Sequence, residues 1–272
     1  MQRHDVYKTF RSFTHSGEGF SPEKSDLLVE TPLQIVINKA RPILIMITPH
    51  RIRELVIGFM FTEGFIRHPS EVEEYTISSV STEDGDRVIE VRVTIPSRGP
   101  DVSGSNTRRM ASYSSCGICG KENYYELRRG LHRVKSRHRF SMDVLKEVSR
   151  NLETFQPLYE KTGGAHAAVL FDSRGNPTLY CEDMGRHNAL DKVIGGSLIK
   201  GISREDKILV SSGRASLEMI LKTVRAGMPL FVAMSRPTSK AVEAAKFYNI
   251  TLIDLAKRSN RIYSHARRIE GF

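Results

Sequence analysis

At 272 residues the chain is long enough to bury a substantial core, as one large domain or two smaller ones. Its formal charge of +10 points to an anionic partner: nucleic acid, a phosphate-rich cofactor or an acidic protein. Three cysteines, no bilayer-length apolar run and no basic-then-apolar leader argue against a disulfide-stapled secreted domain and a membrane protein, so a soluble, cytoplasmic protein is expected.

Residues 1–29 are polar and carry Gly17, Gly19 and Pro22, which predicts an irregular arm. Leu33–Ile37 and Ile43–Ile47 read as a hairpin around Asn38, Lys39 and Pro42. Thr48-Pro49 reads as the cap and first residue of a helix carrying Ile52, Leu55, Val56, Phe59 and Met60, with Gly64 ending it. Two further strands flank Asp84-Gly85, completing a small α+β domain over residues 30–110. Residues 97–115 lack apolar periodicity and predict a mobile loop leading into Cys116-Gly117-Ile118-Cys119-Gly120. That loop and the basic stretch Arg128–Arg139 form a linker over 111–140. An amphipathic helix through Val144, Leu145, Val148 and Leu152 follows, with Ser141 as its cap. From His166 onward strands alternate with helices, which predicts an α/β domain over 141–272.

Two thiols separated by two residues can exchange as dithiol and disulfide, ligate a metal, or carry a sulfur atom. A closed zinc site needs further ligands, which only Cys181 and a histidine can provide here. Gly117 and Gly120 favour a flexible loop over the helix start of a thioredoxin-type pair. Flexibility suits a carrier that meets one protein and then another. Arg108, Arg109 and Lys121 supply positive charge close in sequence for a thiolate. Cys181 lies within a strand pattern and reads as a small core residue.

Three polar turns in the second half are candidate ligand contacts. Gly163-Gly164-Ala165-His166 precedes a strand, where a tight turn explains the glycines nearly as well as a ligand does. Glu182-Asp183-Met184-Gly185-Arg186-His187-Asn188 joins acid, base and amide between a strand and a helix. Helix capping by Asp183 or Asn188 explains one residue of that set. Ser212-Gly213-Arg214 follows another strand and opens a helix, an arrangement that suits phosphate. Three such turns would line one rim of the sheet and favour a phosphate-bearing ligand. The basic run Arg128–Arg139 keeps a nucleic-acid binder as an alternative, yet only Tyr124, Tyr125 and Phe140 accompany it, and a solvated face is the commoner explanation.

In order along the chain stand Glu30-Thr31-Pro32-Leu33, the Thr48-Pro49 helix start, Ile57-Gly58-Phe59 with Glu63-Gly64, and the cysteine pair. Gly163–His166, Glu182–Lys192, Ser212–Arg214, Arg236-Pro237-Thr238 and Asn249–Leu252 follow. From Glu30 to Tyr263 this series resembles the FdhD/NarQ family, formate dehydrogenase accessory sulfurtransferases. The resemblance implies a three-layer α/β/α large domain similar to cytidine deaminases, beside the smaller N-terminal α+β domain. It implies that sulfur from a cysteine desulfurase is held as a persulfide on Cys116. Cys119 would assist or resolve the transfer. The sulfur would pass to the molybdenum of bis(molybdopterin guanine dinucleotide), a bound substrate destined for formate dehydrogenase. A homodimer without a permanent metal, nucleic acid or membrane partner is implied as well. Zinc deamination is disfavoured, because the chain lacks the required order of His and Cys ligands. The cofactor contacts expected are Gly163, Gly164, His166, Glu182, Asp183, Arg186, His187, Asn188, Ser212, Gly213 and Arg214. The family's cofactor segment near the last strand carries a phenylalanine, an arginine and a glycine. Here it is Leu255-Ala256-Lys257-Arg258-Ser259-Asn260, which keeps positive charge but neither the aromatic nor the glycine. The alternatives are a zinc-binding or dithiol redox module and a basic nucleic-acid-binding protein.

Overall fold

A computed structural model describes residues 5–17, 19–81, 85–96, 126–256 and 259–272. Cys116, Cys119, Lys257 and Arg258 lie outside the described residues. The chain opens with a two-stranded ribbon, β1 (Tyr7–Ser16) and β2 (Gly19–Leu28), where an irregular arm was expected. Both strands are solvent-exposed along most of their length, so no alternation of apolar residues marks them in the sequence. Cross-strand pairs hold them, among them His15 against Phe20 at 4.8 Å between ring centroids.

A four-stranded sheet follows: β3 (Thr31–Ile37), β4 (Ile43–Ile47), β5 (Glu74–Ser81) and β6 (Arg87–Thr94), in the order β4-β3-β6-β5. Leu33, Ile35, Ile43, Ile45, Ile89 and Val91 alternate inward, as strand geometry requires of an apolar face. They pack beneath α1 (Ile52–Glu63), which Gly64 ends in the left-handed conformation at φ 85°. Thr48-Pro49 does not start that helix. Its N-cap is Arg51, itself left-handed, and Thr48 is drawn into the joint described below.

The second half contains α2 (Met142–Arg150), α3 (Pro157–Thr162), β7 (His166–Phe171), β8 (Pro177–Asp183), α4 (Arg186–Ile199), β9 (Ile208–Arg214), α5 (Leu217–Arg225), β10 (Leu230–Ser235), α6 (Ser239–Tyr248), β11 (Thr251–Asp254) and β12 (Arg261–Ser264). Ser141 is the N-cap residue of α2, as expected, but its side chain accepts no capping hydrogen bond. The six-stranded sheet has the order β12-β11-β10-β9-β7-β8. β9, β10 and β11 run parallel, β7 runs antiparallel to both its neighbours, and β12 runs antiparallel to β11. Ala168, Leu170, Leu209, Phe231 and Leu252 share a core with α4, α5, α6 and α1. Val169, Phe171, Val210, Val232 and Ile253 pack on the other face with Leu145 and Val148 of α2. The result is a mixed α/β architecture.

One continuous core joins the small sheet to the large one. α1 and α4 cross at Gly58 and Gly195, where an added Cβ would collide with the backbone carbonyl of Asp191 or Glu54. Because α1 is wedged between the small sheet and α4, nearly its whole circumference is buried rather than one stripe.

Candidate functional site at the strand-end rim

β8, β9, β10 and β11 end at the rim where β7 begins, so four separated segments meet there. His166 pairs with Asp183 across β7 and β8, and Arg214 pairs with Ser235 across β9 and β10. The predicted Gly163–His166, Glu182–Asn188 and Ser212–Arg214 segments lie on this edge, as do Leu255, Ala256, Ser259 and Asn260 of the last one.

Several of the predicted contacts hold the protein together. Glu182 accepts the Leu158 and Tyr159 N–H groups at 2.8 and 2.9 Å, at the start of α3. Burial raises its carboxyl above the ordinary value despite those donors. Asp183 accepts from Gly185 N–H, Thr48 N–H and the Asn188 amide. Asn188 also donates to the Met46 carbonyl at 2.9 Å. Gly163 closes α3 in the left-handed region at φ 67°, and Gly164 packs near Leu28. In the last segment Leu255 is buried in the core, and its N–H donates to Ala233. Asp254 accepts from Ala256 N–H at 2.9 Å and from the Ser259 hydroxyl at 2.8 Å. Only Asn260 of the described residues there is exposed.

The remaining groups are less fully committed to the fold. Ser212 accepts the Ala167 N–H at 2.9 Å, with His166 Nδ1 at 3.3 Å. Burial, and then the nearby Arg186 guanidinium, hold the His166 imidazolium below its ordinary pKa. Arg186 lays its stem against Gly213, and its buried Nε has no hydrogen-bond partner among the described residues. Arg214 and Arg236 are exposed on the same edge. α4 begins at Gly185 with no side-chain cap, so its first N–H groups face the rim beside Arg186. Guanidinium groups with a helix N-terminus can bind an anion, phosphate foremost.

Beneath the rim lies a buried charge network that the sequence reading did not anticipate, and the predicted contact His187 belongs to it. His187 Nε2 is 3.3 Å from the Ser216 hydroxyl and 3.4 Å from Glu218 Oε2. Lys222 Nζ lies 2.8 Å from Asp191, 3.2 Å from Glu63 and 2.9 Å from the Thr62 hydroxyl. Burial alone would depress the Lys222 ammonium, but Asp191, Glu63 and Glu218 together raise it above the ordinary range. Glu63, Glu218 and Lys222 sit within apolar helix patterns, and only Ser216, three residues before Met219 at the start of α5, carries a local signal as a cap. Cys181 is 1% exposed, with Arg51 Nη1 at 3.5 Å. Burial pushes its thiol up to about 11, so it is inert at neutral pH. No group of three or more His, Cys, Asp or Glu among the described residues is placed to hold a metal ion, and none of their helices is long and apolar enough to cross a membrane.

Residues 28–270 match the model of the FdhD/NarQ family. The chain is 36% identical over 258 residues to the sulfur carrier protein FdhD of Sulfolobus acidocaldarius, covering 93% of this chain and 95% of that one. It is 36% identical over 274 residues to the protein of that name from Mycolicibacterium paratuberculosis, covering 95% and 97%. The crystal structure of a formate dehydrogenase accessory protein from Desulfotalea psychrophila superposes with a TM-score of 0.73 at 23% identity, over 97% of this chain and all of that one, which establishes the fold. On the family match and these relatives, the chain belongs to the FdhD/NarQ family.

Proposed function

We propose that this protein is a cytoplasmic sulfur carrier for formate dehydrogenase maturation. The observation that carries the reading is a family match over nearly the whole chain, with relatives named as sulfur carriers, together with an arginine-lined rim suited to phosphates. Cys116 thiolate attacks the outer sulfur of a cysteine desulfurase persulfide, and the desulfurase thiolate leaves. Cys116 then holds the sulfur as a persulfide. Attack of Cys119 thiolate on the inner sulfur releases it as sulfide and leaves a Cys116–Cys119 disulfide, so the two electrons come from the cysteine pair. A thiol reductant must then regenerate the dithiol. The sulfide goes to the molybdenum of bis(molybdopterin guanine dinucleotide), the substrate docked at the rim.

In this reading Arg186, Arg214 and the start of α4 receive a pyrophosphate, and Ser212 with neutral His166 offers hydrogen bonds to the remainder. Asn260, exposed on the same edge, extends the rim. The large unit is taken to be layered as in cytidine deaminases, supported by helices on both faces of the six-stranded sheet. The working form is a homodimer. The test is formate dehydrogenase maturation in cells lacking the endogenous carrier. Cys116→Ala is expected to abolish it while Cys181→Ala, at a buried inert thiol, preserves it. Full maturation with Cys116→Ala would overturn the reading.

A further inference from the structure

A second basic feature lies on the edge of the sheet opposite the rim. A groove of about 1440 Å³ is lined by the segment Gly130–His138, by Ser203–Asp206 before β9, by Val224–Gly227 before β10 and by Asn249 before β11. Because β9, β10 and β11 are parallel, those connections sit at their starting ends, away from the rim.

The segment Arg133–Phe140 alternates strictly. Arg133, Lys135, Arg137 and Arg139 are exposed, whereas Val134, Ser136, His138 and Phe140 turn inward to varying depth. The inward positions are pinned. Val134 N–H donates to Tyr248 O at 2.9 Å, and its carbonyl accepts from Asn249 at 2.6 Å. Ser136 donates to Glu205 O at 2.6 Å and accepts from Arg268 at 3.1 Å. Phe140 N–H donates to Arg268 O at 2.8 Å. An anchored segment with a period of two spaces its outward charges about 7 Å apart.

Arg133, Lys135 and Arg137 have no ion-pair or hydrogen-bond partner among the described residues. The arginines of the walls are engaged elsewhere: Arg204 donates to Ala226 O and Arg225 to Arg129 O, both at 2.9 Å. Glu205 and Asp206 are the carboxylates of the groove, and Asp206 is paired with Lys207. The exposed row is therefore a fixed line of three cations with no partner among the described residues.

We propose that this row seats an extended acidic segment of a partner protein. An extended polypeptide projects alternate side chains to one side with the same repeat, so glutamates at every second position meet Arg133, Lys135 and Arg137 in register. A single-stranded nucleic acid has a similar charge spacing, but its binding relies on stacked aromatics, and no Phe, Tyr or Trp among the described residues lines the groove. The surface is separate from the rim and does not depend on the sulfur-carrier reading.

The test is fluorescence anisotropy with the whole chain at low salt. The probes are a peptide of about ten residues alternating Glu and Ser, a peptide of equal composition with its glutamates in one block, and an oligothymidylate of matched charge. The alternating peptide is expected to bind most tightly and to weaken with salt. Arg133→Glu/Lys135→Glu/Arg137→Glu is expected to weaken it by about tenfold or more. The corresponding triple Gln variant gives the same ranking should charge reversal disturb folding, as checked by thermal melting. Absence of peptide binding, unchanged affinity in the folded variants, equal binding of the block peptide, or tighter binding of the oligonucleotide would overturn the proposal.

Discussion

Lys192 Nζ lies 2.6 Å from Asp183 Oδ2, and both side chains are wholly buried. Lys192 also donates to the Thr48 and Glu182 carbonyls at 3.1 and 3.2 Å. Thr48 makes two further contacts: its N–H donates to Asp183, and its hydroxyl accepts the Met184 N–H. The pair thus ties the end of β8, the body of α4 and the approach to α1 into one joint directly beneath the rim.

Breaking a buried pair strands the surviving charge. Lys192→Met is expected to cost about 3–5 kcal/mol in equilibrium denaturation. Adding Asp183→Asn removes the stranded carboxylate and is expected to return part of that loss. A loss below about 1 kcal/mol for Lys192→Met would mean that the pair is not holding the joint.

The contact of α1 with α4 leaves no space for a side chain at Gly58. Gly58→Ala places a methyl group against the Asp191 carbonyl, and backbone cannot swing aside. The expected cost is about 3 kcal/mol, the upper end for overpacking, read from a urea midpoint. Gly201→Ala, with nothing within 4 Å but φ 63°, tests backbone strain alone and should cost about 1 kcal/mol.

His166 makes stability pH-dependent. Burial and Arg186 disfavour its protonated form in the fold, so the unfolded chain binds that proton more readily. The contribution is complete above the ordinary value of 6.5 and declines as pH falls through it. His50 is shifted the same way, first by burial and then by Lys192 and Arg51. Denaturation midpoints followed between about pH 5 and 8 should fall less steeply on the acid side in His166→Gln than in the native chain. Identical slopes would show that His166 is not desolvated.

The rim arginines are expected to carry phosphate recognition. Arg186→Ala and Arg214→Ala should each weaken guanosine diphosphate binding by about tenfold or more in calorimetry, the loss of one charge-assisted hydrogen bond. Unchanged affinity would place the ligand elsewhere. Gly213→Ala should weaken it less, since the displaced neighbour is the flexible stem of Arg186.

Strands and helices with a one-sided or continuous apolar pattern were legible in the sequence: β3, β4 and β6 by alternation, and β9, β10 and α5 by their buried runs. The rim followed, because polar turns after successive strands must share an edge once the strands are parallel. The β1–β2 ribbon was not legible, as it buries little and its cross-strand pairs leave no apolar alternation along either strand. Nor was the division of labour at the rim. Glu182, Asp183 and Asn188 have the composition of a ligand site, yet their partners Leu158, Thr48 and Met46 are distant in sequence. Thr48-Pro49 has the local form of a helix start, but Thr48 is held by Asp183 and Met184 and the helix begins three residues beyond Pro49.

The central claim is that Cys116 carries the sulfur. Incubation with a cysteine desulfurase and cysteine, followed by peptide mass spectrometry, tests it directly. The account predicts an adduct of about 32 Da, one sulfur atom, on the Cys116 peptide, removed by a thiol reductant and absent from Cys116→Ser. An unmodified Cys116 peptide beside a desulfurase that has turned over would contradict it.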